Sequence, residues 1–223
     1  MSGVSSSFNI KDTNSTLADS HMMKNMEWGA VAYLKQSEYG LGTIDIAPNN
    51  YYDMSKSVFF VTGCGSEVGT TSSTTTCTPY NEANGQKAST TGNIYGIYDM
   101  SAGAWEYVMG NEVNTGGEFN ESSAGTFSPN VKYYDAYTYN TSVSTHGRGK
   151  LGDATKETLK VFGHEFGGWY SDWIRIPSDI VSWFTRGGGS DYRPLDKSGL
   201  FHVNQNSGRG DVYTSSRLVI SQP

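Results

Sequence analysis

Charge is scarce in this chain, and positive charge scarcer still. Asp, Glu, Lys and Arg make up 17% of the 223 residues, and 16 Lys and Arg stand against 22 Asp and Glu. A surface that tracks phosphates needs a basic excess, so a net charge of −6 argues against nucleic acid as a partner. Long apolar runs are missing too. No stretch approaches the ~20 residues of a membrane-spanning helix, and no membrane contact by the domain itself is expected. No apolar segment of signal-peptide type follows Met1. Cysteine is limited to Cys64 and Cys77. Neither belongs to a CxxC pair and no histidine lies near them in sequence, so zinc is not expected. The residues between them form a Ser/Thr/Gly-rich loop with nothing else to hold it. A disulfide closing that loop is expected to stabilise the fold by roughly 2–3 kcal/mol.

What is abundant is glycine and tyrosine, 27 and 15 residues. Such low-charge chains are loop-rich, and tyrosine is a common contact residue in recognition loops. The length suits one sizeable domain, with or without a tail. Residues 1–18 are Ser/Thr/Asn-rich without periodicity, and read as a flexible tail, an early edge strand or an artificial boundary. The domain is expected over 19–223.

Residues 24–39 carry a helical pattern. Asn25 is the expected N-cap, Glu27 lies in the first turn, Trp28, Val31, Ala32 and Leu34 or Lys35 share a face, and Gly40 follows as the stop. A second helix is expected over 153–162, capped by Asp153, with Leu159 and Phe162 as apolar contacts and Gly163 as its stop. Strands are expected at 105–108, 181–186, 199–204 and 216–221. Two helices with many short strands and long loops is an α+β layout. The loops between 41 and 147 far exceed the usual length, which marks them as functional or strapped to the core.

The last forty residues alternate short apolar anchors with polar and aromatic runs, the layout of a strand scaffold carrying freely exchangeable side chains. Upstream, Asn93-x-Tyr95-Gly-Ile-Tyr98-Asp99-Met100-x-x-Gly103-x-Trp105-Glu106-Tyr107 resembles the signature segment of the formylglycine-generating-enzyme-like branch of the C-type lectin fold. Arg186-Gly-Gly-Gly-Ser190 and Ser216-Arg217-Leu-Val219 resemble two further segments of that family, in the right order. Within it the chain is most similar to the variable proteins of diversity-generating retroelements from gut bacteria and prophages, some of them pilin-like. His21-Met-Met-Lys24-Asn25-x-Glu27-Trp28, Gly167-Gly-Trp-Tyr170 and Trp183-Phe-x-Arg186-Gly-Gly188 carry that likeness.

The resemblance implies a C-type lectin fold, with two helices packed on short antiparallel strands. It also implies a variable region at about 185–215 whose residues are rewritten by error-prone reverse transcription. Gly189, Asp191, Tyr192, His202, Asn204, Gln205, Asn206, Arg209, Asp211, Val212, Tyr213 and Thr214 are the candidate variable, ligand-binding positions. Gly199, Leu200, Phe201, Gly208, Ser216 and Arg217 would be scaffold. The implied function is non-enzymatic binding of a protein or glycan receptor from a bacterial or phage surface, through an anchor or N-terminal segment absent from this chain. The alternatives are a structural pilus or virion subunit, or a degenerate oxidase.

An oxidase of the formylglycine-generating type uses a cysteine pair after the Arg-Gly-Gly segment, and no cysteine follows Cys77 here. His21, His146, His164 and His202 are too scattered for a facial iron site. His164-Glu165 lacks the second histidine of a zinc-protease helix, since position 168 is Gly. No cofactor is expected apart from calcium, for which Asn93, Asp99 and Glu106 are candidate ligands. Their other reading is turn stabilisation by side-chain-to-backbone hydrogen bonds. Trp28, Trp105 and Trp183 read as core, while Tyr192, Tyr213 and Trp173 read as contact residues. Arg186 and Arg217 sit inside apolar anchors, where arginine is usually paired, and read as structural.

Overall fold

The computed structural model describes residues 19–56, 61–68, 74–121, 127–142, 145–158, 167–189 and 198–221. The candidate variable residues Asp191 and Tyr192 lie outside them, as do His164-Glu165 and residues 1–18.

Helix α1 spans Asn25–Gln36, with Lys24 rather than Asn25 as N-cap. The Glu27 carboxylate reaches back to accept the Lys24 N–H at 2.7 Å, satisfying a donor that the first helical turn leaves open. Trp28 and Ala32, four residues apart, are fully buried on the inner face. Lys35 is also buried while Leu34 is exposed. The Lys35 ammonium donates to the carbonyl of Gly42 and to the Tyr170 hydroxyl, both at 3.2 Å. It thereby ties the segment beyond the helix to the sheet side. Gly40 passes so close to the Lys35 carbonyl oxygen that a β-carbon there would sit 2.1 Å from it. Close approach, not helix termination alone, requires glycine at this position.

Among the described residues, strand outweighs helix in the regular secondary structure. β1 (Asp19–Met22) pairs antiparallel with β7 (Leu218–Ser221) as a two-stranded sheet joining the two ends of the domain. β2 (Trp105–Val113), β3 (Asp135–Thr138), β4 (Trp183–Gly187), β5 (Gly199–Asn206) and β6 (Thr214–Ser216) form a curled, half-barrel sheet in the order β3-β2-β4-β5, with β6 also on β2. β4 lies antiparallel along one edge of β2. The other edge is shared in tandem. β6 pairs parallel with 105–107, the Met23 carbonyl accepts the Met109 N–H at 2.8 Å, and β3 pairs parallel with 110–113. Every stretch of β2 thus has a neighbour on both edges, as a buried strand's backbone polar groups require. Seven consecutive residues from Glu106 to Glu112 are buried.

These strands correct the expected fold class. Among the described residues the chain is mostly β with one helix of any length, to which Thr145–Arg148 (α2) adds a single turn. It is not a C-type lectin arrangement of two helices on strands, and the main sheet is mixed rather than antiparallel. The expected second helix fails from its first residues. Residues 153–158 are bends and turns, and 159–162 lie outside the described residues. Ala154 is left-handed at φ 54°. The Asp153 carbonyl, which would accept the first helical bond, is taken by the Arg186 guanidinium. The single strand expected at 216–221 is two, β6 and β7, which join different sheets on either side of Arg217.

One core cluster lies between α1 and the sheet, around Trp28, Val108, Phe184, Leu200, Phe201 and Val203. A second, aromatic cluster gathers Tyr107, Phe119, Tyr134 and Trp183. The expected disulfide between Cys64 and Cys77 is formed, with α-carbons 5.2 Å apart. Among the described residues no helix is long and apolar enough to cross a membrane.

Candidate binding surface

β5 runs from core to surface within eight residues. Leu200, Phe201, His202 and Val203 are fully buried, then Asn204, Gln205 and Asn206 emerge half-buried. Residues 207–213 turn back toward β6, and five contacts fix their path. Gly208 is left-handed at φ 81° and lies over the Trp183 indole, where a β-carbon would come within 2.5 Å of Nε1. The Tyr107 hydroxyl, rising from buried β2, donates to the Arg209 carbonyl at 2.7 Å. The Asp211 carboxylate accepts the Tyr213 N–H at 2.8 Å, while the Thr214 hydroxyl accepts the Asp211 N–H at 3.0 Å. Finally the Trp105 N–H donates to the Tyr213 carbonyl at 2.9 Å.

Between the end of β5 and this loop opens a cleft of about 350 Å³, lined by Trp105, Val181, Asn204, Gln205, Asn206, Ser207, Asp211, Tyr213 and Thr214. Six of the twelve candidate variable residues are therefore neighbours around one opening. Arg209 and Val212 stand exposed on the same loop, Val212 at 65% of its surface.

Two candidates sit elsewhere. His202 is fully buried, with its imidazole edge-on to Trp105 at 5.0 Å between ring centroids. Gly189 is buried against the other side of the same indole, where a β-carbon would fall 2.0 Å from Nε1. Both belong to the packing beneath the cleft. The sequence carried a signal for His202: it interrupts an otherwise continuous apolar run, Leu200 to Val203, of the kind a strand covered on both faces shows. Trp105 was expected in the core. It is half-buried there and lines the cleft as well. Ser207 and Val181 complete the lining without any marker in the sequence.

The scaffold beneath is polar at its key points. Arg186 is fully buried on β4. It donates to Asn25 Oδ1 at 2.7 Å, to Thr155 Oγ1 at 2.8 Å and to the Asp153 carbonyl, so one side chain joins the sheet, α1 and the 153–155 turn. Burial holds its guanidinium below the usual arginine range, and Asp153 opposes that. Arg217 grips the buried Glu106 carboxylate through two nitrogens and also donates to the carbonyl of Asp99 at 3.2 Å. Its guanidinium lies 5.5 Å from the centre of the Trp28 ring.

The three candidate calcium ligands each have protein partners. The Asn93 side-chain oxygen accepts from Tyr95 N–H at 2.9 Å and Thr91 hydroxyl at 3.0 Å, inside its own turn. Asp99 accepts from Asn49 Nδ2 at 2.7 Å and from the Gly63 N–H. Glu106 is engaged by Arg217. Among the described residues no three His, Cys, Asp or Glu side chains gather as a metal site.

Compared with protein-family models, characterised proteins and solved structures, the chain matches none of them at a significant level.

Proposed function

We propose that this protein is a non-enzymatic recognition module, a variable protein of the diversity-generating-retroelement type. It acts at a bacterial or phage surface and binds a protein or glycan receptor through the end of β5 and the 207–214 loop. The observation that carries this reading is the convergence of Asn204, Gln205, Asn206, Asp211, Tyr213 and Thr214 on one open cleft. The strands that carry them hold buried residues in the two core clusters, Phe201 and Val203 in one, Trp183 and Tyr107 in the other. Surface residues can then be exchanged without touching the packing that orients them, and a preorganised surface loses little entropy on binding. The Cys64–Cys77 disulfide is consistent with a location outside the cytoplasm.

Sequencing the source locus across its native population tests the reading. Substitutions concentrated at the six cleft positions, Arg209 and Val212, matched to adenines in a template repeat beside a reverse transcriptase, are expected. A uniform locus without such a repeat would remove the retroelement assignment.

A further inference from the structure

The cleft has a definite chemistry. Asn204 Oδ1 accepts the Gln205 N–H at 2.9 Å, and Asn206 Oδ1 accepts the Ser207 N–H at 2.7 Å. Because a backbone N–H can only donate, both amide oxygens are turned onto the chain. The two Nδ2 groups are left as the ends available to a ligand. Neither Nδ2 meets an acceptor among the described residues, and the Gln205 amide makes no side-chain hydrogen bond there. Asp211 uses one carboxylate oxygen on the Tyr213 N–H and keeps the other. Val181 and the Trp105 indole supply apolar wall, and among the described residues no Lys or Arg lines the opening, Arg209 standing exposed elsewhere on the loop.

We infer that the cleft binds a neutral saccharide, one ring deep, without a metal ion. The inference rests on the recognition reading above and assigns its ligand class. Each charged alternative leaves something unmet. An ammonium or guanidinium from a protein partner could pair with Asp211, but it carries no acceptor for the two Asn donors. A phosphate or carboxylate would suit the Asn donors and be repelled by Asp211, and no Lys or Arg among the described lining residues compensates. A hydroxyl both accepts and donates, so a polyol ring edge meets the Asn Nδ2 groups and the Asp211 oxygen together. Its C–H face suits an aromatic and aliphatic wall. The volume lies at the small end of ligand pockets, which run ~300–1,000 Å³.

Two shape-conserving substitutions test this. Asn206→Asp keeps the oxygen that holds Ser207 and turns the free donor into an acceptor. Asp211→Asn keeps the oxygen that holds Tyr213 and turns the free acceptor into a donor. The ¹⁵N-labelled chain is titrated with glucose, galactose, mannose and N-acetylglucosamine at millimolar concentration in EDTA. One of these sugars is expected to shift the side-chain amide resonances of Asn204 and Asn206, and each substitution is expected to weaken it about tenfold or more. If no sugar moves those resonances while an immobilised peptide library yields binders that the same substitutions weaken, the saccharide class is wrong and the recognition surface stands. If neither sugars nor peptides engage the cleft, both readings fall. A sugar that binds only when calcium replaces the EDTA would overturn the metal-free assignment.

Discussion

Glu112 tests the energetics of this fold most sharply. It lies fully buried on β2, and neither carboxylate oxygen meets a hydrogen-bond donor among the described residues. Burial pushes its pKa from 4.5 to about 7; Asp179 adds to the rise and Arg148 opposes it. The sign follows from linkage. Below pH 4.5 the group is protonated in both folded and unfolded chains and costs nothing. As pH rises from there toward 7, the unfolded chain ionises first and the folded state loses stability. Above about 7 the loss is complete, about 3 kcal/mol at ~1.4 kcal/mol per pH unit. Glu112→Gln keeps the shape and removes the titration. Urea unfolding of both proteins between pH 4.5 and 8 should show the variant gaining about 3 kcal/mol on the wild type toward the alkaline end. Asp172, Asp45 and Asp135 are also pushed up by burial, but the subtraction cancels them. Parallel stability curves, or a gap that widens toward acid, would refute the account of a carboxylate buried without a donor.

Arg186→Lys should destabilise by about 3–5 kcal/mol, because a single ammonium cannot span Asn25, Thr155 and the Asp153 carbonyl from one buried position. A melting temperature equal to wild type would contradict the tying role. Tyr107→Phe removes the hydroxyl that holds the Arg209 carbonyl, at about 1 kcal/mol of global stability. Its larger expected effect is faster amide exchange confined to 207–213, and unchanged protection there would show the loop to be held by other contacts. Cys77→Ser opens the 13-residue separation of the disulfide and should lower stability by roughly 2–3 kcal/mol. A loss well under 1 kcal/mol in chemical denaturation would mean that the loop is held without it.

How much of this was legible depended on which interaction decided each element. α1 was readable because the spacing of Trp28 and Ala32 and the acid at Glu27 act locally. The disulfide was readable because two cysteines bracket one loop. The expected second helix was not, because its fate turns on Arg186, which comes from β4, 33 residues further along the chain, and takes the Asp153 carbonyl. The mixed sheet was equally hidden: parallel pairing of β2 with β3 and β6 leaves no periodic mark that antiparallel pairing would lack. At the surface, six of the positions the resemblance suggested line one cleft, whereas His202 and Gly189 are buried. A buried imidazole against an indole and a glycine chosen for contact with the same ring look, residue by residue, like exposed loop positions. The structural roles of Arg186 and Arg217 were readable from their apolar neighbours, though their partners were not.

The central claim is that an exchangeable surface sits on a scaffold that cannot change. Saturation mutagenesis of residues 183–217, read out as the amount of folded protein, measures that division directly. Asn204, Gln205, Asn206, Arg209 and Val212 should accept most replacements. Phe184, Arg186, Gly189, Leu200, Phe201, His202, Val203 and Arg217 should accept almost none. Equal intolerance across both groups, or free substitution at Gly189 and His202, would contradict the account.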